Sequence, residues 1–388
     1  MTEQADRLPR PPVTIETDAD LRAAVRKWKR LSAIGVDTEF VRVRTFYQIL
    51  GLIQVSDGRD SYLIDPIAVN DLRPFLDLLQ NERVTKIMHS CSEDLEVFYH
   101  LGGGLPRPIF DTQIAAVFLG HGYPISYQRL VHDLFGIHIP KHQTRTDWTQ
   151  RPLTPEQVEY AGLDVAYLIR AHRIFRGRLR QSGRESWAME EFEKLDDISR
   201  FIPDDDHYYR QIKGAGRLTP RELAVLRELT AWREKEARKR DRPRNFIIHD
   251  TVLLVLAEDQ PAKSAELRSI RGIGPKTVRR NGETILRLIQ RGLEVPERKL
   301  PRPIRHNIDT RRYEEEIEAI KTAVRETAEE LDIPKEFLAQ RSVILKLIKH
   351  VKIDRKKDLP KELEGWRREA IGDRLLEILN RHGKRTHP

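Results

Sequence analysis

Residues 33–64 read AIGVDTEFVRVRTFYQILGLIQVSDGRDSYLI, and this stretch decides the fold of the first half of the chain. Three apolar strand patterns lie in it, at Ala33–Val36, Leu50–Val55 and Ser61–Ile64. The last two flank the turn sequence Asp57-Gly58, which predicts that they pair as antiparallel neighbours.

Strand and helix patterns continue to alternate on both sides of this stretch. A further strand is predicted at Thr85–Met88, and helices are predicted at Leu21–Leu31, Asp71–Leu79, Glu93–His100, Asp111–Leu119 and Thr154–Ile174. This alternation predicts an α/β domain with a mixed sheet flanked by helices. After Leu218 the strand patterns almost vanish, and 219–292 and 312–382 are predicted to form two helical units joined by the proline-containing linker Glu294–Arg305.

Composition and charge limit the function classes. The chain has 388 residues, of which 33% are charged, and no apolar run approaches the roughly 20 residues of a membrane-spanning helix. An integral membrane protein is therefore excluded, and a cytoplasmic location is expected. The single cysteine, Cys91, excludes an internal disulfide framework, so any metal site must use oxygen or imidazole ligands.

The net charge of +9 is unevenly distributed. Residues 1–210 hold 27 basic and 31 acidic residues, whereas 211–388 hold 42 and 29. A basic C-terminal half favours a polyanionic partner such as nucleic acid. Solvated helix faces remain the alternative interpretation.

Three acidic elements stand out. Asp37 and Glu39 alternate with Thr38 at the end of a strand, so both carboxylates face the same side of the sheet while Thr38 faces the other. Asp94 lies in the first turn of a helix that Ser90 and Glu93 are expected to open as a capping box.

Tyr160 and Asp164 form the third element, because residues four apart share one helix face. Each element alone has a structural alternative: a solvated strand edge, a carboxylate complementing the helix dipole, or a surface hydrogen bond. Together the four carboxylates could hold two divalent ions, Mg²⁺ or Mn²⁺, roughly 3.5–4 Å apart, as in two-metal phosphodiester hydrolysis.

The sequence around these elements resembles the ribonuclease D family, the tyrosine subtype of the DEDD 3′-to-5′ exonucleases. The similar blocks are VDTEFVRVRTFYQILGLIQVSDG from Val36, HSCSEDLEVF from His89, DTQIAA from Asp111, TRTDW from Thr144 and RPLTPEQVEYAGLDVAYL from Arg151. The resemblance covers nearly the whole chain and implies a ribonuclease H-like exonuclease fold. It also implies that Asp37, Glu39, Asp94 and Asp164 bind the metal ions and that Tyr160 positions the nucleophile. Gly162 departs from the alanine that is usual in this family.

The helical half is similar to HRDC domains, small helical modules that this family shares with RecQ-type helicases. The clearest signature is Ile270-Arg271-Gly272-Ile273-Gly274-Pro275-Lys276, at the start of a predicted helix. The resemblance implies an exonuclease domain at 1–212, a first all-α HRDC domain at 213–295 and a second HRDC-like domain at 296–388. Candidate RNA contacts are Arg42, Arg145, Arg271, Lys276, Arg279 and Arg280.

Three other polar residues near the acids are interpreted as structural. His89 is expected to pack or cap, Asp111 to cap a helix, and Cys91 to be inert because its neighbours are acidic. Phe46 and Tyr47 are expected to be core or sheet residues, with base stacking as the alternative.

The expected function is metal-dependent 3′-to-5′ trimming of RNA with a free 3′ hydroxyl, with tRNA precursors as substrates and nucleoside 5′-monophosphates as products. A DNA exonuclease of the same superfamily and a catalytically inactive RNA-binding protein remain as alternatives. No membrane partner is expected, and a monomer is favoured although the sequence leaves the oligomeric state open.

Overall fold

The computed structural model describes residues 10–102, 104–140, 146–304 and 310–383, with residues 382 and 383 described by backbone alone. Contacts divide the chain into two compact units. The first unit comprises the described residues of Met1–Val41, Leu50–Phe201 and Asp309–Pro388, and the second comprises those of Arg42–Ile49 and Ile202–Ile308. The three-domain division expected from the sequence stays a prediction, and the two contact units group its segments differently.

A six-stranded mixed sheet forms the centre of the first unit. Its strands are β1 (Val13–Ile15), β2 (Ala33–Val41), β3 (Ile49–Ser56), β4 (Ser61–Ile64), β5 (Thr85–Met88) and β6 (Ile109–Asp111), in the order β1-β4-β3-β2-β5-β6. Strand pairs β1–β4, β2–β5 and β5–β6 are parallel. The pair β3–β4 is antiparallel, with Ser56 opposite Ser61 across the turn, which confirms the predicted hairpin.

In the described part of residues 10–193, eight α-helices accompany this sheet. They are α1 (Asp18–Trp28), α2 (Arg73–Leu79), α3 (Ser92–Gly102), α4 (Thr112–Val117), α5 (Tyr127–Phe135), α6 (Pro155–Ala166), α7 (Leu168–Gln181) and α8 (Glu185–Glu193). The start predicted for α6 is confirmed, since Thr154 and Gln157 form a capping box and Pro155 occupies the first turn. The prediction of one helix over Thr154–Ile174 is wrong, because the chain breaks into α6 and α7 at Tyr167.

The second unit contains the helical module predicted at 219–292. Its helices are α9 (Pro220–Lys239), α10 (Arg244–Ile247), α11 (Asp250–Asp259), α12 (Ser264–Ser269) and α13 (Pro275–Leu293), around a core that includes Leu226, Leu253 and Ile285. Ile304 also packs into this core, so the predicted linker runs along the module rather than away from it.

The segment Arg42–Ile49 belongs to this second unit although it connects β2 to β3 in the chain. Phe46 is buried in the core of the helical module, which confirms its expected core role. The Asp241 carboxylate accepts hydrogen bonds from the backbone N–H groups of Phe46 and Tyr47 at 2.9 and 3.0 Å. Arg244 lies over the Phe46 ring at 4.8 Å from its centroid.

The C-terminal helical module packs with the exonuclease part of the first unit. Its helices are α14 (Glu314–Leu331), α15 (Lys335–Leu338), α16 (Arg341–Ile348) and α17 (Asp373–Gly383). Trp366 stacks on Trp187 with ring centroids 5.5 Å apart and contacts Phe118 edge-on at 5.0 Å. Its indole N–H donates to Glu191 at 2.6 Å, so the aromatic contact also satisfies its buried polar atom.

Candidate active site

The first pair of acids lies on β2, the central strand next to β5. Asp37 and Glu39 alternate with the buried Thr38, as the period of a strand requires. A Cβ added to Gly35 would lie only 3.1 Å from Leu168 and 3.3 Å from the carbonyl oxygen of Val165. The absence of a side chain at Gly35 therefore lets the junction between α6 and α7 approach the strand two residues before Asp37.

Asp94 joins this strand through a contact that the sequence did not reveal. Asp94 lies in the first turn of α3 and is 7% exposed, and its carboxylate accepts a hydrogen bond from the Thr38 hydroxyl. Thr38 was expected only to face away from Asp37 and Glu39. Its hydroxyl instead anchors Asp94 to the strand that carries them.

The turn before α3 is held by Asp111. Its carboxylate accepts hydrogen bonds from the backbone N–H groups of Ser90 at 3.1 Å and Cys91 at 2.9 Å. The same carboxylate caps α4 by accepting hydrogen bonds from the N–H groups of Gln113 and Ile114. The predicted helix cap at Asp111 is confirmed, and the same carboxylate also holds the turn before α3. The prediction of a capping box formed by Ser90 and Glu93 is wrong, because Ser90 has a φ of 59° and the helix begins at Ser92.

Tyr160 and Asp164 share one face of α6, as predicted, and the tyrosine hydroxyl donates a hydrogen bond to the carboxylate. The Tyr160 ring is buried in a cluster with Leu52, Leu63 and Trp148. Trp148 lies 6.1 Å from Tyr160 between ring centroids. Packing therefore fixes the ring, and the hydrogen bond fixes its hydroxyl relative to Asp164.

The charges of Asp94 and Asp164 affect the ionisation of Asp37 and Glu39. Burial and then the charges of Asp94, Asp164 and Glu39 raise the pKa of Asp37 well above its usual value. Burial and then the charges of Asp164 and Asp94 raise the pKa of Glu39 to about 9. Burial raises the pKa of Asp94 and of Asp164 to about 7, against the lowering effect of the hydrogen bonds from Thr38 and Tyr160. Like charges have thus been brought together in a poorly solvated place.

The donor chemistry of this cluster fits hard divalent cations, since Mg²⁺ and Mn²⁺ prefer carboxylate oxygens. Among the described residues, no three His, Cys, Asp or Glu side chains are already grouped as a ligand set. The charges of Asp94, Asp164 and Glu39 nevertheless raise the pKa of Asp37, so these three carboxylates lie within electrostatic range of Asp37. Repelling carboxylates draw together when a cation is shared between them.

Two neighbours of the cluster have the structural roles expected of them. His89 uses both ring nitrogens, contacting the Thr112 hydroxyl at 2.9 Å and the Ile125 carbonyl at 3.0 Å, and burial lowers its pKa. Cys91 is fully buried, and burial raises the pKa of its thiol. Both findings agree with the interpretation that neither is a nucleophile or base.

The candidate RNA-contacting residues lie in different places. Arg271, Lys276, Arg279 and Arg280 are exposed around the start of α13, where Gly272 has a φ of 93° and Gly274 precedes the helix. Arg279 and Arg280 line a surface depression together with Arg268. Arg42 is exposed in the segment that belongs to the second unit. Arg145 lies outside the described residues.

Comparisons with known proteins agree with this arrangement. Family models match residues 12–180 as a 3′-5′ exonuclease, 222–289 as an HRDC domain and 312–375 as a ribonuclease D C-terminal HRDC domain. A ribonuclease D from Pseudomonas paraeruginosa is 39% identical over 94% of this chain and 96% of its own length. The chain belongs to the ribonuclease D family. The crystal structure of Escherichia coli RNase D matches with a TM-score of 0.88 at 35% identity, over 96% of this chain and 99% of that one.

Membership of the ribonuclease D family establishes the enzyme class and the fold. The protein is a 3′-to-5′ exoribonuclease with a mixed-sheet exonuclease domain followed by helical HRDC modules, as predicted. This outcome favours the predicted exoribonuclease over the DNA exonuclease and the inactive binding protein. The family also implies dependence on divalent metal. None of the helices in the described ranges is long and apolar enough to cross a membrane.

Proposed function

We propose that Asp37, Glu39, Asp94 and Asp164 bind two divalent ions, Mg²⁺ or Mn²⁺, and that the enzyme releases nucleoside 5′-monophosphates from RNA with a free 3′ hydroxyl. The observation that carries this proposal is a set of four carboxylates, two buried and two half-buried, in which the charges of Asp94 and Asp164 raise the pKa values of both Asp37 and Glu39. Such an arrangement is costly in the absence of positive charge. When bound, the ions would supply Lewis-acid stabilisation of the charge that develops on the scissile phosphate.

Tyr160 contributes through hydrogen bonding. Burial, followed by the charges of Asp164 and Glu39, raises the pKa of its hydroxyl, so the phenol stays protonated at neutral pH. A neutral hydroxyl held against Asp164 can orient an attacking water molecule but cannot serve as a phenolate base. Its role is thus to fix the direction of attack at the terminal phosphodiester.

The exposed cations around α13 supply binding to the RNA backbone. Arg271, Lys276, Arg279 and Arg280 can contact phosphates without reading bases, which makes binding dependent on salt. We propose tRNA precursors as substrates. The crystallised Escherichia coli relative is described as an exoribonuclease involved in structured RNA processing, which supports a folded RNA as the substrate.

One digestion experiment tests polarity, end chemistry and metal dependence together. RNAs of one sequence that end in a 3′ hydroxyl or a 3′ phosphate, and the matching DNA, are incubated with Mg²⁺, Mn²⁺ or excess EDTA. We expect stepwise shortening of the 3′-hydroxyl RNA, nucleoside 5′-monophosphates as products, and no reaction in EDTA. Undiminished cleavage in EDTA, or nucleoside 3′-monophosphates as products, would contradict the proposal.

Replacement of Tyr160 by Phe tests its separate role. We expect kcat to fall about 10²-fold while KM changes little, because only the water-orienting hydroxyl is removed. Steady-state kinetics on a short 3′-hydroxyl RNA measure both quantities. The control is Tyr62→Phe, which removes a hydroxyl that bonds to Asp57 and Lys27 in another part of the same unit. Equal kcat values for the two variants would exclude Tyr160 from the mechanism.

The monomeric state and the cytoplasmic location remain predictions. Sedimentation of the purified protein over a range of concentrations measures the first, and fractionation of cells measures the second.

A further inference from the structure

The hydroxyl of Tyr127 occupies a gap in the hydrogen-bond ladder between α6 and α7. In a continuous helix the N–H of Tyr167 would donate to the carbonyl of Leu163, four residues earlier. Here the Tyr167 N–H donates to the Tyr127 hydroxyl at 3.1 Å, and that hydroxyl donates to the Leu163 carbonyl at 3.4 Å. A side chain inserted between the two partners of a helical hydrogen bond is a known cause of helix breaks.

This break lies beside the residues proposed to carry the chemistry. Leu163 directly precedes Asp164, and Tyr160 lies one turn earlier on the same helix. On the other side, the junction of α6 and α7 packs against β2 at Gly35, where Val165 and Leu168 lie closest. The position of the Leu163 carbonyl therefore affects where the Asp164 carboxylate meets the strand that carries Asp37.

The position of the Tyr127 side chain is fixed by its helix and by packing. It is the first residue of α5, a helix capped by the Ser126 side chain, and it is only 7% exposed. Its ring lies 5.5 Å from the His89 ring between centroids. His89 is fixed in turn by its bond to the carbonyl of Ile125, two residues before Tyr127. The Tyr127 hydroxyl thus reaches the break between α6 and α7 from a side chain whose position is fixed by its neighbours.

We propose that Tyr127 is a positioning residue for the exonuclease reaction. Its hydroxyl holds the break between α6 and α7 open, and this sets the placement of Asp164 for metal binding and of Tyr160 for orienting water. The proposal rests on the proposed roles of Asp164 and Tyr160. Tyr127 itself contacts the backbone that carries these residues and does not act on the substrate.

The test is Tyr127→Phe in the full-length protein, which removes one oxygen atom and keeps the buried ring. In this variant Leu163 and Tyr167 can bond directly, so the helix can close and the melting temperature should change little. We expect the affinity for Mn²⁺, measured by electron paramagnetic resonance in the absence of RNA, to fall about tenfold, as for other residues that orient metal ligands. We expect kcat to fall as well, with KM for a short RNA nearly unchanged.

Two further variants make the result decisive. Tyr62→Phe removes the hydroxyl of an equally buried tyrosine, 8% exposed, and should keep wild-type Mn²⁺ affinity. Asp164→Asn should lose Mn²⁺ affinity if the proposed function is right, and unchanged affinity there would refute the metal assignment itself. If Asp164→Asn loses affinity while Tyr127→Phe keeps wild-type affinity and kcat, the positioning role alone is overturned. A loss in Tyr127→Phe that only follows its unfolded fraction also overturns it.

Discussion

Two groups of buried charge in this protein are built in opposite ways. The acidic cluster of the first unit, Asp37, Glu39, Asp94 and Asp164, brings together charges of one sign. The arginine–glutamate network of the second unit, centred on Arg233 and Glu234, balances them. Arg233 is fully buried and Glu234 is 1% exposed, and they pair at 3.1 Å. Arg244 also pairs with Glu234 at 2.7 Å, and Arg233 also pairs with Asp250, so two arginines face two carboxylates.

This difference in charge balance distinguishes a cluster with a functional role from a network that stabilises the fold. A balanced network compensates the loss of hydration through ion pairs and hydrogen bonds, so it can serve the fold alone. In the acidic cluster, hydrogen bonds from Thr38 and Tyr160 compensate only in part, since the pKa values of Asp94 and Asp164 are still raised. The charges of Asp94 and Asp164 in turn raise the pKa values of Asp37 and Glu39. A cationic ligand would supply the missing compensation, so perturbed acids of one sign indicate a functional site.

The largest effect is expected for Asp94→Asn, which removes one of the four carboxylates of the acidic cluster. We expect hydrolysis of RNA to fall about 10³-fold or more, since a proposed metal ligand is lost. We also expect the metal-free variant to be more stable than the wild type, because an amide need not bury a charge. Single-turnover kinetics and urea unfolding in EDTA measure the two effects. Asp71→Asn is the control, because its exposed pairing with Arg73 lies at the surface of the same unit.

Glu234→Ala tests the balanced network and should give the next largest effect. We expect the free energy of unfolding to fall by about 3 kcal/mol, because Arg233 and Arg244 lose their shared buried partner. Urea unfolding followed by circular dichroism measures this loss. The matched control is Glu236→Ala on the same helix, whose pairing with Arg240 lies nearer the surface and should be worth about 0.5 kcal/mol. Equal losses in the two variants would show that burial does not distinguish these pairs.

The sequence predicted those parts of the fold that depend on local pattern. Strands β4 and β5 begin and end where their apolar runs do, and the Asp57-Gly58 turn led correctly to an antiparallel pair. The shared faces of Asp37 with Glu39, and of Tyr160 with Asp164, follow from the periods of a strand and a helix. Their assignment as metal ligands and water-orienting group remains a prediction.

The features that the sequence did not predict depend on distant contacts. At the break between α6 and α7, the Tyr167 N–H donates to a hydroxyl 40 residues away, and Thr38 reaches Asp94 across 56 residues. Local propensity contains no signal for either contact. The grouping of the C-terminal module with the exonuclease part likewise depends on aromatic contacts such as Trp187 with Trp366, which no spacing in the sequence reveals.

The smallest predicted effect, per pH unit, is the contribution of the acidic cluster to the pH dependence of stability. Unfolded Asp has a pKa of roughly 3.9, whereas burial raises the pKa of Asp94 and Asp164 to about 7 in the folded protein. The folded state thus binds more protons, so metal-free stability should fall as pH rises from about 4 to about 7. Glu39, with a pKa of about 9, extends this loss to higher pH.

We expect a loss of about 1 kcal/mol per pH unit over this window, below the sum for independent groups because the carboxylates are coupled. Urea unfolding in EDTA between pH 5 and 8 measures it. Asp94→Asn should show a shallower loss because one titrating acid is gone. Saturating Mg²⁺ should reverse the slope, since ions that bind the ionised carboxylates stabilise only the folded state. Burial lowers the pKa values of His89 and His172, so these groups contribute stability that rises with pH, and the wild type is therefore compared with Asp94→Asn. An equal or steeper loss in Asp94→Asn would contradict the view that the acids of the wild type are buried together.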